Sequence, residues 1–202
     1  MKRSTAMFVS CLLLSSLSAH AAIKPGTHQI GLQLGAASPL SSNDIDGEYV
    51  RFGKTGPAIG ANYLFQYAPN LSLGGDLNLK ALGERNIRTG HGTGQVDSSA
   101  WTLLAIARGD LLPDGDIRPY ALLGLGVGGA KREIRFGDPR YDRDQSSSGL
   151  AFALAGGADL DINESWVAGA ELRYNYIRTQ LDEIGTSSVR TLDLLFKVGY
   201  KF

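Results

Sequence analysis

The chain has 202 residues, with 20 basic side chains against 20 acidic ones, 26 glycines and a single cysteine. That length allows one domain of sandwich or barrel size. The balanced charge lacks the basic patch a nucleic-acid partner needs, and no apolar run is long enough for a transmembrane helix.

The first 21 residues read as an export signal. Lys2 and Arg3 form its positive end, Ala6 to Leu17 its apolar core, and Ala19-His20-Ala21 a small-x-small cleavage site. The expected division is therefore a signal peptide over residues 1–21 and one barrel domain over residues 22–202. Cys11 falls too early in the apolar core to be a lipidation site. Losing Lys2 and Arg3 takes the basic count from 20 to 18, against 20 acidic residues, and leaves no thiol. Disulfide and thiol chemistry are thereby excluded from the mature chain.

The remaining chain alternates. Ile30, Leu32, Leu34 and Ala36 oppose Gln29, Gly31, Gln33 and Gly35 in a first strand, and a polar connection from Ser38 to Thr55 follows. Ile59, Ala61, Tyr63, Phe65 and Tyr67 mark a second strand, which stops at the turn Ala68-Pro69-Asn70. In the third, Leu71, Leu73, Leu77 and Leu79 oppose Ser72, Asp76, Asn78 and Lys80, and a second polar connection runs from Gly83 to Ser98. Trp101 to Asp110 is a fourth strand with apolar residues in both registers, in which Arg108 and Asp110 define the wet side. After the turn Pro113-Asp114-Gly115-Asp116, Arg118 to Ala130 sets Ala121, Leu123, Leu125 and Val127 against Leu122, Gly124, Gly126 and Gly128. The connection Lys131 to Ser148 is strongly charged, Leu150 to Leu160 is a sixth strand, and Asp161 to Ser165 is a short turn. Trp166 to Tyr176 and, after a longer connection, Thr191 to Phe202 complete eight strands.

The connections alternate long and short, which puts every long loop at one end of an up-and-down sheet. Outer-membrane barrels show this asymmetry, and strands of roughly ten residues suffice to cross a bilayer when tilted. A soluble barrel competes with this reading, and three features decide against it. The polar face mixes glycine with opposite charges, as a narrow, side-chain-filled lumen requires. Aromatic residues on the apolar face lie toward strand ends, where interfacial girdles form: Tyr67, Trp166, Tyr200 and Phe202 at the short-turn end, Trp101, Phe152, Tyr174 and Tyr176 at the loop end. The chain also ends on an aromatic strand, and closing the sheet removes edges that hydrocarbon cannot satisfy. The expected fold is an all-β, eight-stranded antiparallel up-and-down transmembrane β-barrel preceded by a cleaved signal peptide.

The stretches Arg118-Pro119-Tyr120-Ala121-Leu122-Leu123-Gly124-Leu125-Gly126-Val127-Gly128, Ala170-Glu171-Leu172-Arg173-Tyr174 and Val198-Gly199-Tyr200-Lys201-Phe202 resemble strands of the small OmpA/OmpX-type outer-membrane beta-barrel family of Gram-negative bacteria. The likeness covers essentially the whole mature chain. It implies an outer-membrane location, contact with outer-membrane lipid and lipopolysaccharide, and recognition of the C-terminal strand by the barrel-assembly machinery. Members of such a family include adhesins, stress proteins and anchors, so fold outruns function.

Enzymatic readings find little material. Gly124-Leu125-Gly126-Val127-Gly128-Gly129 satisfies the dinucleotide spacing but has no helix behind it. A hydrolytic triad would have to use His28, or His91 with Asp97, Ser98 and Ser99 nearby; a glycine-rich loop around His91 reads as plain solvent-exposed chain. Two separated histidines and no cysteine leave no metal ligand set, so neither catalytic residues, cofactor nor metal is expected.

Two groups carry the functional expectation. Asp76, Lys80, Glu171, Arg173, Asp193 and Lys197 on the wet face are expected to form a lumenal charge network, read either as filling or as a gated pore. Lys131, Arg132, Arg135, Phe136, Arg140, Tyr141 and Arg143 in the third long loop are expected to offer a contact surface to a host or surface ligand. The leading expectation is a non-enzymatic structural or surface-interaction protein, adhesin-like, with a small ion- or solute-conducting channel as the alternative and a lipid A-modifying enzyme as a distant third.

Overall fold

A computed structural model of the chain describes residues 24–40, 42–45, 48–51, 53–89, 92–113, 115–136, 143–180 and 186–202. The expected export signal lies outside them. The strands are β1 (His28–Pro39), β2 (Ser42–Ile45), β3 (Glu48–Arg51), β4 (Gly56–Ala68), β5 (Leu71–Thr89), β6 (Gly92–Asp110), β7 (Ile117–Phe136), β8 (Arg143–Asp161), β9 (Trp166–Gln180) and β10 (Thr186–Lys201). Eight of them close a barrel in the order β1-β10-β9-β8-β7-β6-β5-β4, and β2 and β3 pair separately within the first long connection.

Alternation dictates which side faces where. Leu32, Leu125 and Phe196 are 67%, 66% and 63% exposed on the outside, whereas Asp76, Arg173 and Asp193 are 1%, 0% and 0% exposed on the inside. That inverts the order of a water-soluble protein and suits a surrounding of hydrocarbon. Closure is made by β1 and β10, antiparallel from Gln29↔Lys201 to Pro39↔Thr191. Beyond that ladder, His28 N donates to Phe202 O at 3.0 Å and Phe202 N to His28 O at 2.9 Å. No barrel strand is left with a free edge at membrane depth, where each unpaired backbone group would cost several kcal/mol.

The short turns are tied by side chains. Asn163 Oδ1 accepts from the backbone N–H groups of Ser165 (2.9 Å) and Trp166 (2.8 Å), an Asx turn joining β8 to β9. Gln66 Nε2 donates to Ala68 O at 2.7 Å across the β4–β5 turn.

The described parts of the long polar connections after the third, fifth and seventh expected strands are strand, which corrects the sequence reading. β5 and β6 pair as far as Thr89↔Gly92, β6 and β7 as far as Gly94↔Phe136, and β7 and β8 as far as Ile134↔Arg143. Polar residues stand in both registers there, so the alternation that betrays a strand in lipid disappears while the hydrogen bonds persist. β5 bends into this extension at a bulge between Ala81 and Glu84, where Gly83 adopts φ +65°.

Candidate functional site

The inner wall carries cations and anions at successive heights. Lowest, at the short-turn end, Asp161 bridges Arg118 (2.7 Å) and Lys201 (3.0 Å). Above it Arg108 grips Asp110 Oδ1 through Nε (2.9 Å) and Nη2 (2.6 Å), and its Nη1 bonds Asp159. Lys197 joins Asp159 (3.2 Å) to Glu171 (3.4 Å). Arg173 donates from Nε to Glu171 Oε1 at 2.7 Å and forks across the lumen onto Asp76 at 2.5 and 3.0 Å. Gln33 Nε2 donates to the same Asp76 carboxylate at 2.9 Å. Highest, Lys80 meets Asp193 at 2.7 Å and Thr191 Oγ1 at 2.9 Å, and Asn175 Nδ2 donates to Asp193 at 2.7 Å.

All six residues expected in the lumen face inward: Asp76, Arg173, Glu171 and Lys197 share one chain of ion pairs, and Lys80 and Asp193 pair with each other above it. Arg173 stands directly opposite Asp193 in the ladder, yet its partners are Asp76 and Glu171. Sequence reasoning missed the hub, Tyr120. Its hydroxyl donates to Glu171 Oε2 at 2.7 Å and accepts from Lys197 Nζ, while Arg108 and Lys197 sit 3.9 and 4.2 Å from its ring centroid. The phenol end of Tyr120 sits over Gly157, where a Cβ would collide with both the Tyr120 hydroxyl end and the Ala170 carbonyl. The inward position of Tyr120, beside Pro119 in an otherwise aliphatic strand, was the available sign.

Lys80, Arg108, Arg118, Arg173, Lys197 and Lys201 thus pair with Asp76, Asp110, Asp159, Asp161, Glu171 and Asp193, and the buried Arg132 adds a further inward cation toward the loop end. The rest of the wall mixes buried amides and hydroxyls, among them Gln33, Asn62, Asn78, Thr102 and Asn175, with apolar residues. Leu104, Ile106, Leu122, Ala151, Ala153, Ala155, Ile177 and Leu195 are buried inside, so the wet side of β6 to β8 is in part a hydrocarbon core. Side chains of this kind fill an eight-stranded barrel.

At the rim, Lys131 bonds Glu133 (2.5 Å) and Asp144 (3.3 Å), and Arg135 bonds Glu133 (2.7 Å). Hydrogen bonds from Lys131 and then Arg135 hold the Glu133 carboxyl below its ordinary range, and those with Glu133 and Asp144 raise the Lys131 ammonium. Arg132, expected on the contact surface, is instead turned inward and buried, because it alternates with Lys131 on an extended strand. Phe136 and Arg143 lie at strand ends whose side chains are not described, and Arg140, Tyr141 and His91 lie outside the described residues.

The aromatic residues expected at the interfaces all lie on outward-facing strand positions or, for Phe202, at the strand's end. Tyr67, Trp166, Tyr200 and Phe202 are exposed near the short turns, with Trp166 and Tyr200 edge to face at 5.2 Å. His28 stacks on Phe202 at 5.6 Å and its Nδ1 meets Tyr63 Oη at 2.6 Å. Trp101, Phe152, Tyr174 and Tyr176 occupy the other end, with Phe152 directly opposite Tyr176. Among the described residues no group of three or more His, Cys, Asp or Glu is placed to hold a metal.

Residues 7–202 match the family model described as the outer membrane protein beta-barrel domain. The chain belongs to that family. This outer-membrane beta-barrel protein is similar in fold to OprG from Pseudomonas aeruginosa (18% identity, 90% of this chain and 98% of that one, TM-score 0.58). It is likewise similar to Neisserial surface protein A (18% identity, 88% and 99%, TM-score 0.57) and to Ail, the attachment invasion locus protein of Yersinia pestis (18% identity, 89% and 100%, TM-score 0.56). No curated protein sequence matches the chain. The location of this outer-membrane beta-barrel protein is the outer membrane of a Gram-negative bacterium.

Proposed function

We propose that the protein is a non-enzymatic surface-interaction barrel whose binding element is the sheet β5–β6–β7–β8 where it rises beyond the membrane. The observation that carries this reading is a parting of strands. Among the described residues β8 pairs with β9 no farther than Ala151↔Ile177 but with β7 as far as Arg143, so the upper part of β8 outruns its ladder with β9. A polar strand that outruns its neighbour on a rigid barrel can align with an extended partner chain, and the rim charges around it can meet an anionic ligand. One structure of Ail is a complex with the heparin analogue sucrose octasulfate, which gives a first class of ligand to test.

The inner wall supports a closed scaffold over a channel, since ion pairs such as Arg173–Asp76 cross the lumen and buried amide, hydroxyl and apolar side chains occupy the space around them. Of the two histidines weighed for catalysis, His28 is engaged by Tyr63 and Phe202. The test replaces residues 133–144 by a two-residue Asn-Gly turn and measures retention of the folded protein on immobilised heparin and of expressing cells on epithelial monolayers. Loss of both, with heat-modifiable gel mobility intact, is expected. Undiminished binding by the shortened protein would overturn the reading.

A further inference from the structure

The sheet formed by the upper parts of β5 to β8 has two unlike faces. Residues directly opposite one another in an antiparallel ladder share a face, and the face alternates along each strand. Arg132 is buried while its neighbour Lys131 is exposed, so positions in step with Arg132 continue the lumen wall and those in step with Lys131 the outer wall.

On the outer side one rung reads Glu84↔Asp97↔Glu133↔Asp144 across all four strands. Those four are the carboxylates of the extension among the described residues. The cations beside them, Lys131 and Arg135, are bonded to Glu133, and Lys131 also to Asp144. The lumen side has the opposite character. One rung reads Arg85↔Val96↔Ile134↔Arg143, and the next toward the tip reads Ile87↔Gly94↔Phe136. Two arginine positions thus frame a row of apolar ones, on a side with no carboxylate among the described residues. Lipid does not account for that row, because the row is on the side of the barrel's mouth and not of the membrane. The neighbouring wall is shorter: past the rung Ala151↔Ile177, β8 continues to Arg143 whereas β9 continues only to Gln180.

Resting on the reading of β5–β8 as the binding element, we propose that its lumen-side face docks an extended, acidic polypeptide segment that also carries apolar side chains. Carboxylates of the segment meet Arg85 and Arg143, and its apolar side chains lie along Ile87, Val96, Ile134 and Phe136. Guanidiniums take carboxylates in bidentate pairs, and burial of the apolar row adds a contribution that a purely charged polymer cannot supply. The carboxylate rung on the outer side repels the same segment, so the sheet has one receptive face.

The test uses the full mature protein folded in dodecyl maltoside and fluorescence anisotropy of a labelled peptide alternating glutamate with leucine, with polyglutamate of equal length for comparison. The mixed peptide is expected to bind more tightly than polyglutamate. Its affinity should fall about tenfold or more in Arg85→Gln/Arg143→Gln, severalfold in Ile134→Ser, and not at all in the outer-face variant Lys131→Gln/Arg135→Gln. Ile134→Ser should leave heat-modifiable mobility and retention on heparin as in the wild type. Wild-type affinity in Arg85→Gln/Arg143→Gln, or an equal loss in the outer-face variant, would overturn the docking face. Equal binding of polyglutamate would overturn the apolar part of the partner's chemistry. A protein that holds heparin but neither peptide would overturn this partner alone, whereas undiminished peptide and heparin binding after replacement of residues 133–144 would overturn the reading beneath it.

Discussion

Tyr120 holds two opposite charges at once, because its hydroxyl faces Glu171 and Lys197 while its ring receives Arg108. Gly157 makes that placement possible by leaving the ring room to lie on the sheet. Gly157→Val should push the ring off its seat and cost about 1–3 kcal/mol, read as a lowered urea midpoint for unfolding from lipid vesicles. Arg173→Met should cost more, about 3–5 kcal/mol, since it strands Asp76 and Glu171 without their shared cation. Glu133 at the rim is the accessible probe of pH. Its carboxyl is depressed in the folded state, so its stabilisation of the rim is present above the ordinary carboxylate pKa and lost as pH falls through the depressed value. A carboxyl-carbon NMR titration should place its midpoint below that of an unpaired glutamate, and Arg135→Gln should move it upward.

Individual strands differ in how openly the sequence announces them. The inward and outward sets of β1, β4, β5 and β10 were legible residue by residue, because lipid on one side and packed charge on the other impose strict alternation. β6 blurred the pattern through Leu104 and Ile106, which face inward against Ala153 and Gly124 and form an apolar wall inside the barrel. The upper halves of β5 to β8 were illegible for a different reason: polar residues stand in both registers there. Arg108 and Asp159 escaped the expected charge network since their partnership joins β6 to β8 across two ladders, which no local spacing reveals. The extensions also rest on less than the membrane-embedded rungs. Hydrogen exchange should therefore be faster at residues 84–97 than at residues 100–108 of the same hairpin. Gly83→Val, forced into a left-handed conformation, should widen that difference and cost about 1–2 kcal/mol.

For the molecule as a whole, the charge balance across the lumen matters more than any one pair. Asp76 and Arg173 are 97 residues apart, and Lys80 is 111 residues from Thr191, so these contacts form only when the barrel closes in register. A one-residue slip of any strand would turn its charged set toward lipid, so the network selects the native register as well as filling it. The refolded protein should accordingly show no discrete openings in planar bilayers, whereas Arg173→Ala/Asp76→Ala should admit ions. The seam of β1 and β10 carries one more consequence. Its ladder is as complete as those between sequential strands, and His28 and Phe202 bond each other's backbone at its foot. Topologically the barrel is a ring, and its present opening between β10 and β1 is one of several equivalent places to cut it. A permuted gene that fused Phe202 to Thr27 through a short linker and began at Asn70 would encode the same wall with β5 first and β4 last. Such a chain would separate what the closing strand contributes by its sequence from what it contributes by being made last.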